Sequence, residues 1–206
     1  MSLRIAIAGC GVGGMAAATL LTRAGHDVTI FEEFDTPRPL GAGLLLQPTG
    51  LAVLDRLGAA REIIDTGHRI ERLRGRSLSG RKVLALSYAD LHPCCFGLGI
   101  HRGALFLLLK RAVDAAGIPI VTGARIAGTE ERGEGVRLLG ASGTLDHVPF
   151  DLVVAADGTD SALRDAHPDL VRRDAHYPWG AFWTICADPE GRWQGELAQV
   201  YDGTRR

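Results

Sequence analysis

The sequence predicts an α/β protein with a parallel sheet, a β meander and part of a second, antiparallel sheet. An apolar segment at 3–8 leads through a glycine-rich turn into a helix-forming stretch from Met15, and a second β-type segment follows at 28–32. This order is typical of a βαβ unit with a right-handed crossover. The polar, glycine-punctuated stretch 124–148 predicts the meander. Beyond Pro168, aromatic residues alternating with small ones indicate long antiparallel strands of the second sheet.

The composition is that of an ordinary globular protein and excludes the disordered and fibrous classes. The chain has 206 residues, of which 46% are hydrophobic and 23% charged. Its 23 basic and 24 acidic residues give a net charge of -1, so we expect no general attraction to nucleic acid or anionic membranes. No stretch approaches the roughly 18 apolar residues of a membrane span. A small molecule is therefore the expected partner.

The cysteines and histidines show no metal-binding or disulfide pattern. Cys10, Cys94, Cys95 and Cys186 form no CxxC pair, and the histidines form no HExxH motif. We therefore expect no metal and a reducing, cytoplasmic location. The alternative of a signal peptide ending in a lipoprotein-style Cys10 is disfavoured, because the apolar run before it is shorter than the usual core of about 7 to 15 residues.

Apolar spacing and turn residues predict the other elements. A short helix is expected from Pro48 to Gly58, and an amphipathic helix from 103 to 116. The remaining predicted strands are 69–76 and 82–87, which form a hairpin around Ser79 and Gly80, then 118–121, the meander strands 124–130, 135–140 and 144–148, and 151–156. The continuous apolar run of the last strand predicts that it is buried on both faces.

The turn between the first strand and the first helix has the pattern G-x-G-x-x-G. It consists of Gly9, Cys10, Gly11, Val12, Gly13 and Gly14. In such a motif Gly9 permits the tight turn, Gly11 allows the backbone to approach a phosphate, and Gly14 allows close helix–strand packing. The helix N-terminus adds free N–H groups and partial positive charge. This position could lower the pKa of Cys10, although a small residue tolerated in the turn is the favoured interpretation.

A carboxylate at the end of the second strand completes the dinucleotide pattern. Glu32 lies 18 residues after Gly14, where an acidic residue accepts hydrogen bonds from the adenosine ribose. Glu33 is the alternative for this role, one residue further on. The βαβ unit alone does not distinguish NAD from FAD.

Residues 157–164 read DGxxSxxR directly after the strand at 151–156. At this point the chain resembles the family of FAD-dependent aromatic-ring hydroxylases, the group of para-hydroxybenzoate and salicylate hydroxylase. The resemblance extends over residues 3–206. Besides the glycine motif, Glu32 and the DG motif, it rests on Arg38 with Gly41, Ala42 and Gly43, and on His101 and Arg102 with Leu105.

The resemblance implies a Rossmann-like FAD-binding domain with a β meander and part of an antiparallel-sheet substrate domain. The FAD-binding domain would comprise residues 1–68 and 98–172, and the partial substrate domain 69–97 and 173–206. The cofactor-binding residues implied are Gly9, Gly11, Val12, Gly13, Gly14, Glu32 or Glu33, Arg38, Gly43, Arg102, Asp157 and Gly158.

Individual roles follow from the same resemblance. Arg102 would reach the pyrophosphate or ribityl region, and Asp157 would lie near the phosphates and affect the use of NAD(P)H. Residues 38–46 would run beside the isoalloxazine. Three simpler interpretations stay open: Arg102 as a solvated helix-start residue, Asp157 as a helix cap and Arg164 as an ion-pair partner.

The implied reaction is hydroxylation of a small aromatic substrate with FAD, O2 and NADH or NADPH. Trp179, Phe182 and Trp183 are candidates for facing the substrate, or they are ordinary core aromatics. A basic cluster, which comprises Arg69, Arg72, Arg74, Arg76, Arg81 and Lys82, is either a solvated face or an aid to binding an anionic substrate or pyridine nucleotide.

The sequence departs from the family pattern in one respect. The Gly-Asp motif that normally closes the FAD site has no match after residue 165. We therefore expect a truncated product, or a second polypeptide that supplies the rest, and weak FAD binding by this chain alone. The alternatives are another flavoenzyme of the same fold, such as a halogenase or a prenyl-lipid reductase, and a non-catalytic nucleotide-binding module.

Overall fold

The chain divides into two compact units. The structure, a computed structural model, describes residues 1–38, 41–140, 143–145, 148–175 and 178–202. The first unit comprises Met1–Pro39 and Leu105–Gly180, and the second comprises Leu40–Ala104 and Ala181–Arg206. The assignment of domains to cofactor and substrate binding, with the bounds expected from the sequence, stays a prediction.

The helices and strands of the described residues have the following bounds. The α-helices are α1 (Val12–Arg23), α2 (Pro48–Arg56), α3 (Ala60–Thr66), α4 (Arg102–Ala115) and α5 (Ala162–Ala166). Short 3-10 helices occupy Tyr88–Asp90 and Pro168–Leu170. The strands are β1 (Arg4–Ala8), β2 (Asp27–Phe31), β3 (Gly43–Leu46), β4 (His68–Ile70), β5 (Arg72–Ser77), β6 (Lys82–Ser87), β7 (Gly97–His101), β8 (Ile120–Val121), β9 (Gly128–Arg132), β10 (Gly135–Gly140), β11 (Gly143–Thr144), β12 (Leu152–Ala155) and β13 (Glu196–Tyr201).

A parallel sheet of order β12-β1-β2-β8 forms the centre of the first unit. Ile5, Ala6 and Ile7 of β1 have no exposed surface, because β1 lies between two neighbouring strands. The helix α1 connects β1 to β2, which confirms the predicted βαβ unit. The carboxyl ends of β1 and β12 lie at the same edge of this sheet.

The prediction that the strand at 151–156 is buried on both faces was wrong. β12 pairs with β1, and within the described residues it has no strand on its other side. Leu152 is consequently 43% exposed, while Val153 and Val154 are half-buried. The apolar run therefore predicted the strand correctly, but it did not predict how many strands lie beside it or how exposed its side chains are.

The predicted meander is present as an antiparallel sheet of order β11-β10-β9. Its first strand begins at Gly128 rather than at 124, because Ala124 and Ile126 are buried in the hydrophobic core and form no ladder pair with β10. Of the third predicted strand, 144–148, residues 146 and 147 lie outside the described residues.

The second unit contains two further sheets. β3-β7-β4 is antiparallel, and β5 and β6 form the predicted hairpin. β13 pairs with β5 in parallel, so the expected antiparallel arrangement of the C-terminal strands was wrong. Trp179, Phe182 and Trp183 lie outside any strand and are 69%, 109% and 59% exposed.

The amphipathic helix predicted for 103–116 corresponds to α4. Leu105, Leu109 and Val113 recur at intervals of four and are buried, whereas Leu107 on another face is 49% exposed. Across the described ranges, none of the helices combines the length and the apolar character that a membrane crossing demands.

Candidate functional site

The glycine-rich turn lies at the carboxyl end of β1, and two of its glycines are required by the geometry. Gly9 has φ +99°, and a Cβ there would lie 2.5 Å from the Ala156 carbonyl oxygen. A Cβ at Gly14 would lie 2.0 Å from the Gly9 carbonyl oxygen. Because both obstacles are backbone atoms, neither position accepts a side chain without a shift of the main chain.

The other two glycines of the turn face open space. A Cβ at Gly11 or Gly13 would have no heavy atom within 4 Å. Gly11 is the extended N-cap of α1, no side chain caps this helix, and its first turn contains no acidic residue. The first N–H groups of a helix have no intrahelical acceptor, so they attract an anion here. The turn therefore has the room and the polarity that a dinucleotide pyrophosphate requires.

Glu32 lies against this turn and is 8% exposed. Its Oε2 accepts a hydrogen bond from the Cys10 backbone N–H at 2.7 Å, and its Oε1 accepts one from the Phe34 N–H at 3.1 Å. An ionised carboxylate has about four acceptor positions, so each oxygen can accept a further hydrogen bond. The carboxylate thus fixes the turn and retains capacity for a ligand hydroxyl.

Glu33 differs from Glu32 in its environment. It is exposed, and its Oε2 lies 3.7 Å from the Arg125 Nε in a solvent-accessible ion pair. Of the two carboxylates, Glu32 is the one that contacts the glycine turn. The ribose role of either residue stays a prediction.

Cys10 is a buried thiol with a raised pKa. Burial, with a smaller contribution from the Glu32 carboxylate, raises the pKa of Cys10 to about 11. The alternative in which the helix N-terminus lowers this pKa was therefore wrong, because desolvation and a neighbouring negative charge both oppose the thiolate.

The DG motif lies beside the glycine turn although Gly9 and Asp157 are 148 positions apart in the sequence. The Cβ position of Gly9 is 3.1 Å from the Asp157 Cα, which brings two of the sequence motifs together. Asp157 Oδ1 accepts a hydrogen bond from Ser161 Oγ at 2.7 Å, and Oδ2 accepts one from the Leu163 N–H at 3.3 Å. Gly158, with φ +85°, makes the turn that follows.

These contacts support the interpretation of Asp157 as a helix cap. Ser161 is the N-cap of α5 and accepts a hydrogen bond from the Arg164 N–H, while Asp157 holds the Ser161 hydroxyl. Arg164 contacts the Asp165 carboxylate at 2.9 Å and the Thr159 carbonyl oxygen at 2.8 Å, as a structural ion-pair partner would. A cofactor role for Asp157 and Gly158 stays a prediction.

Two further motif segments meet in the second unit. Gly43 of β3 pairs with His101 of β7, and the Arg102 N–H donates to the Ala42 carbonyl oxygen at 3.0 Å. A Cβ at Gly41, which has φ +113°, would lie 2.8 Å from Arg102 Cδ. Glycine is therefore needed where the exposed Arg102 side chain passes.

The remaining predicted site residues are less informative. Arg38 is exposed in the first unit, and Pro39 and Leu40 of the same segment lie outside the described residues. In the basic cluster, Arg74 Nε lies 3.1 Å from Glu196 Oε2, so part of its charge is neutralised within the sheet. The described part of the chain holds no group of three or more potential metal ligands.

A cavity in the second unit was not predicted. It has a volume of about 730 Å³ and is lined by Gln47, Pro48, Thr49, Leu84, Ala85, Leu86, Ser87, Tyr88, Asp90 and Leu91. The Tyr88 hydroxyl donates to Gln47 Oε1 at 2.8 Å across 41 residues of sequence. Nothing in the sequence indicated this hydrogen bond, because neither Gln47 nor Tyr88 belongs to a recognisable motif.

Comparison with known proteins identifies the family. The model of the FAD binding domain family matches residues 2–201. The chain is 34% identical to 3-amino-4-hydroxybenzoate 2-monooxygenase of Streptomyces cremeus, over 79% of this chain and 41% of that protein. It is 32% identical to 2-heptyl-3-hydroxy-4(1H)-quinolone synthase of Mycobacteroides abscessus, over 77% of this chain and 41% of that protein.

The fold is also similar to that of a solved oxygenase structure. The tetrameric form of 2-methyl-3-hydroxypyridine-5-carboxylic acid oxygenase superposes with a TM-score of 0.68 at 27% identity, over 80% of this chain and 42% of that one. The chain thus spans about two fifths of the length of the proteins that it matches. It belongs to the FAD binding domain family, and its relatives include a monooxygenase and an oxygenase that are named for aromatic compounds.

Proposed function

We propose that this chain is the cofactor-binding part of a cytoplasmic flavoprotein monooxygenase that hydroxylates a small aromatic substrate with NAD(P)H and O2. The observation that supports this most directly is the glycine turn with Glu32 beside it. The turn is sterically closed to side chains at Gly9 and Gly14 but open at Gly11 and Gly13. FAD supplies the redox chemistry when bound, so the chain needs no catalytic dyad of its own.

The residues of the first unit would hold the ADP half of FAD. The N–H groups at the start of α1, from Val12 to Gly14, would donate to the pyrophosphate, and Glu32 would accept hydrogen bonds from the ribose. Asp157 lies close enough to the turn to contribute through its backbone or through Gly158. In the second unit, Arg102 would donate to the phosphate or ribityl oxygens, and the glycines at 41 and 43 would keep side chains clear of the ring system.

More polypeptide, either a longer form of this chain or a second protein, would complete the site. The support comes from β12, which has no strand on the side opposite β1 within the described residues and exposes Leu152 in a cleft of about 860 Å³ that also contains Val153, Leu170 and Val171. An uncovered, apolar strand edge is costly in water and is usually paired or covered. The corresponding expectation is that FAD binds the present chain weakly.

The test is a titration of the chain with ADP and with FAD, followed by calorimetry. Glu32→Gln should weaken ADP binding roughly tenfold, because it removes the charge that strengthens the ribose hydrogen bonds. Glu33→Gln is the matched control and should change the affinity for ADP by less than about twofold. Equal effects of the two changes, or no ADP binding at all, would contradict the proposal. NADH and NADPH oxidation with a panel of phenols then tests the reaction in a reconstituted holoenzyme.

A further inference from the structure

We propose that a groove on one face of the β5–β6 hairpin binds the 2′-phosphate of NADPH, with Arg76 and Lys82 as the residues that hold it. This inference rests on the proposed function, since it names the reductant of that reaction and the side chains that select it. The groove belongs to the second unit and uses no residue of the glycine turn or the DG motif.

The groove is large enough for a nucleotide and is lined by basic side chains. Its volume is about 710 Å³, and small-molecule sites typically have about 300 to 1,000 Å³. Arg72, Arg74 and Arg76 occupy alternate positions of β5, so their side chains extend from the same face of the sheet. The small residues Ala85 and Ser87 of β6 also line the groove and leave space between these side chains.

A β-bulge brings a second cation opposite Arg76. The two strands pair regularly as far as Gly75 and Leu84, and the register then shifts so that Arg76 pairs with Lys82 instead of Val83. Of these last two residues, Lys82 is the one that lines the groove. Bulges commonly redirect a side chain in this way. Like charges directly opposite each other destabilise a sheet, so an anion between them would relieve an unfavourable interaction.

Carboxylates neutralise one end of the groove but not the end at Arg76. Glu196 is the ladder partner of Arg72, and its Oε2 lies 3.1 Å from Arg74 Nε. Arg76 and Lys82 are both exposed, and within the described residues neither has a carboxylate at ion-pair distance. The uncompensated positive charge is therefore concentrated near the hairpin turn.

A phosphate monoester has the charge and the shape that this end of the groove requires. It carries about two negative charges at neutral pH and presents three acceptor oxygens. The guanidinium of Arg76 can bind two of these oxygens at once, and the ammonium of Lys82 adds a point charge. Asp90, the carboxylate that lines the groove, follows the far end of β6, so the phosphate is not opposed by it at the hairpin end. Leu84 and Leu86 line the remaining length, which suits an adenine base.

The glycine turn should reject the same phosphate. Glu32 lies against that turn, and if it accepts hydrogen bonds from the adenosine ribose, its charge would repel a 2′-phosphate. NADP+ and NAD+ differ only in this phosphate. A preference for NADP+ would therefore report on the basic groove and not on the glycine turn.

Calorimetric titration of the 206-residue chain with NADP+ and with NAD+ at low ionic strength tests the inference. NADP+ should bind at least about tenfold more tightly than NAD+, because charge-assisted hydrogen bonds to the 2′-phosphate are absent from the NAD+ complex. Equal affinities would overturn the inference. Inorganic phosphate that binds as tightly as NADP+ would also overturn it, because the groove would then hold free phosphate and not the nucleotide.

Substitutions then test the two residues that hold the phosphate. Arg76→Gln should weaken NADP+ binding roughly tenfold, and Lys82→Gln should weaken it about threefold. Arg76→Gln separates a like-charge pair, so its unfolding midpoint should not fall and a loss of binding would not reflect a loss of the fold. Arg61→Gln, at an exposed arginine of α3 in the same unit, is the matched control and should leave NADP+ binding within about twofold. Equal effects of Arg76→Gln and Arg61→Gln would overturn the assignment.

ADP titration distinguishes a failure of this inference from a failure of the proposed function. Arg76→Gln should leave the affinity for ADP within about twofold, and Glu32→Gln should not weaken NADP+ binding. If Arg76→Gln weakens ADP and NADP+ binding equally, the groove does not select the 2′-phosphate and the inference fails. If NADP+ and NAD+ bind equally while ADP binding depends on Glu32, the inference fails and the proposed function stands.

Discussion

Residues 4–31 and residues 178–190 both contain several apolar side chains, but they place them in opposite environments. Ile5, Ile7 and Ile30 have no exposed surface, whereas Phe182 is 109% exposed and residues 178–190 are exposed throughout. The first segment supplies its own neighbours, since β1 and β2 pair in parallel and α1 covers them. The second lacks a strand partner within the described residues, so its apolar side chains have nothing to pack against.

The largest expected effect is a loss of unfolding free energy when a phenylalanine of the first region's core is replaced, compared with Phe182 of the exposed region. Phe150, which packs at the centre of the first unit, is 1% exposed, its ring centroid lies 5.8 Å from that of Phe31, and the Arg4 guanidinium lies 4.0 Å above it. Phe150→Ala should lower the free energy of unfolding by about 4 kcal/mol. Phe182→Ala should change it by less than about 0.5 kcal/mol. Urea unfolding measures both, and a large loss for Phe182→Ala would show that its region is packed.

The next effect concerns the turn itself. Gly14→Ala forces a Cβ against the Gly9 carbonyl oxygen and should cost about 3 kcal/mol. Gly13→Ala, one residue away in the same helix, meets open space and should not destabilise the chain. Unfolding curves that showed equal losses for the two variants would mean that the turn does not have the described backbone.

A pH-dependent loss of stability should follow from Cys10. Its thiol ionises near 9 when unperturbed, but burial raises its pKa to about 11 in the folded chain. Between these values the unfolded chain binds fewer protons than the folded one, so the free energy of unfolding falls as pH rises, by up to about 2.7 kcal/mol. Cys10→Ala should remove that part of the slope, and Cys94→Ala, at an exposed thiol, should retain it.

The smallest expected effect is at the DG motif. Ser161→Ala removes the N-cap of α5 and one partner of Asp157, and it should cost about 1 kcal/mol. Ser79→Ala in the exposed β5–β6 turn is the control, with a change below about 0.5 kcal/mol. Thermal unfolding distinguishes them, and equal midpoints would argue against the cap.

The local elements were predictable from the sequence because their determinants are close together. The glycine turn, α1 and the β5–β6 hairpin depend on residues within about one turn or strand of each other, and the period of apolar residues in α4 marks its buried face. The position of the DG motif near the glycine turn was implied only by the resemblance to the family, because no local pattern pairs residues 148 positions apart.

Contacts between distant segments were not predictable. The parallel pairing of β13 with β5 joins residues 124 positions apart, and nothing in either strand's pattern specifies its partner. The Gln47–Tyr88 hydrogen bond and the free edge of β12 depend in the same way on what lies beside them in space. The sequence left two roles open for Asp157, a helix cap and a contact with the cofactor, because a carboxylate can accept hydrogen bonds in either role.

The most direct test of the whole account is calorimetric titration of ADP into Gly11→Ala. Gly11 is extended and its Cβ position is empty, so the substitution should leave the free energy of unfolding unchanged while it places a methyl group where the pyrophosphate approaches. We expect ADP binding roughly tenfold weaker than in the unaltered chain. Unchanged ADP affinity with an unchanged unfolding curve would show that the turn does not hold the cofactor.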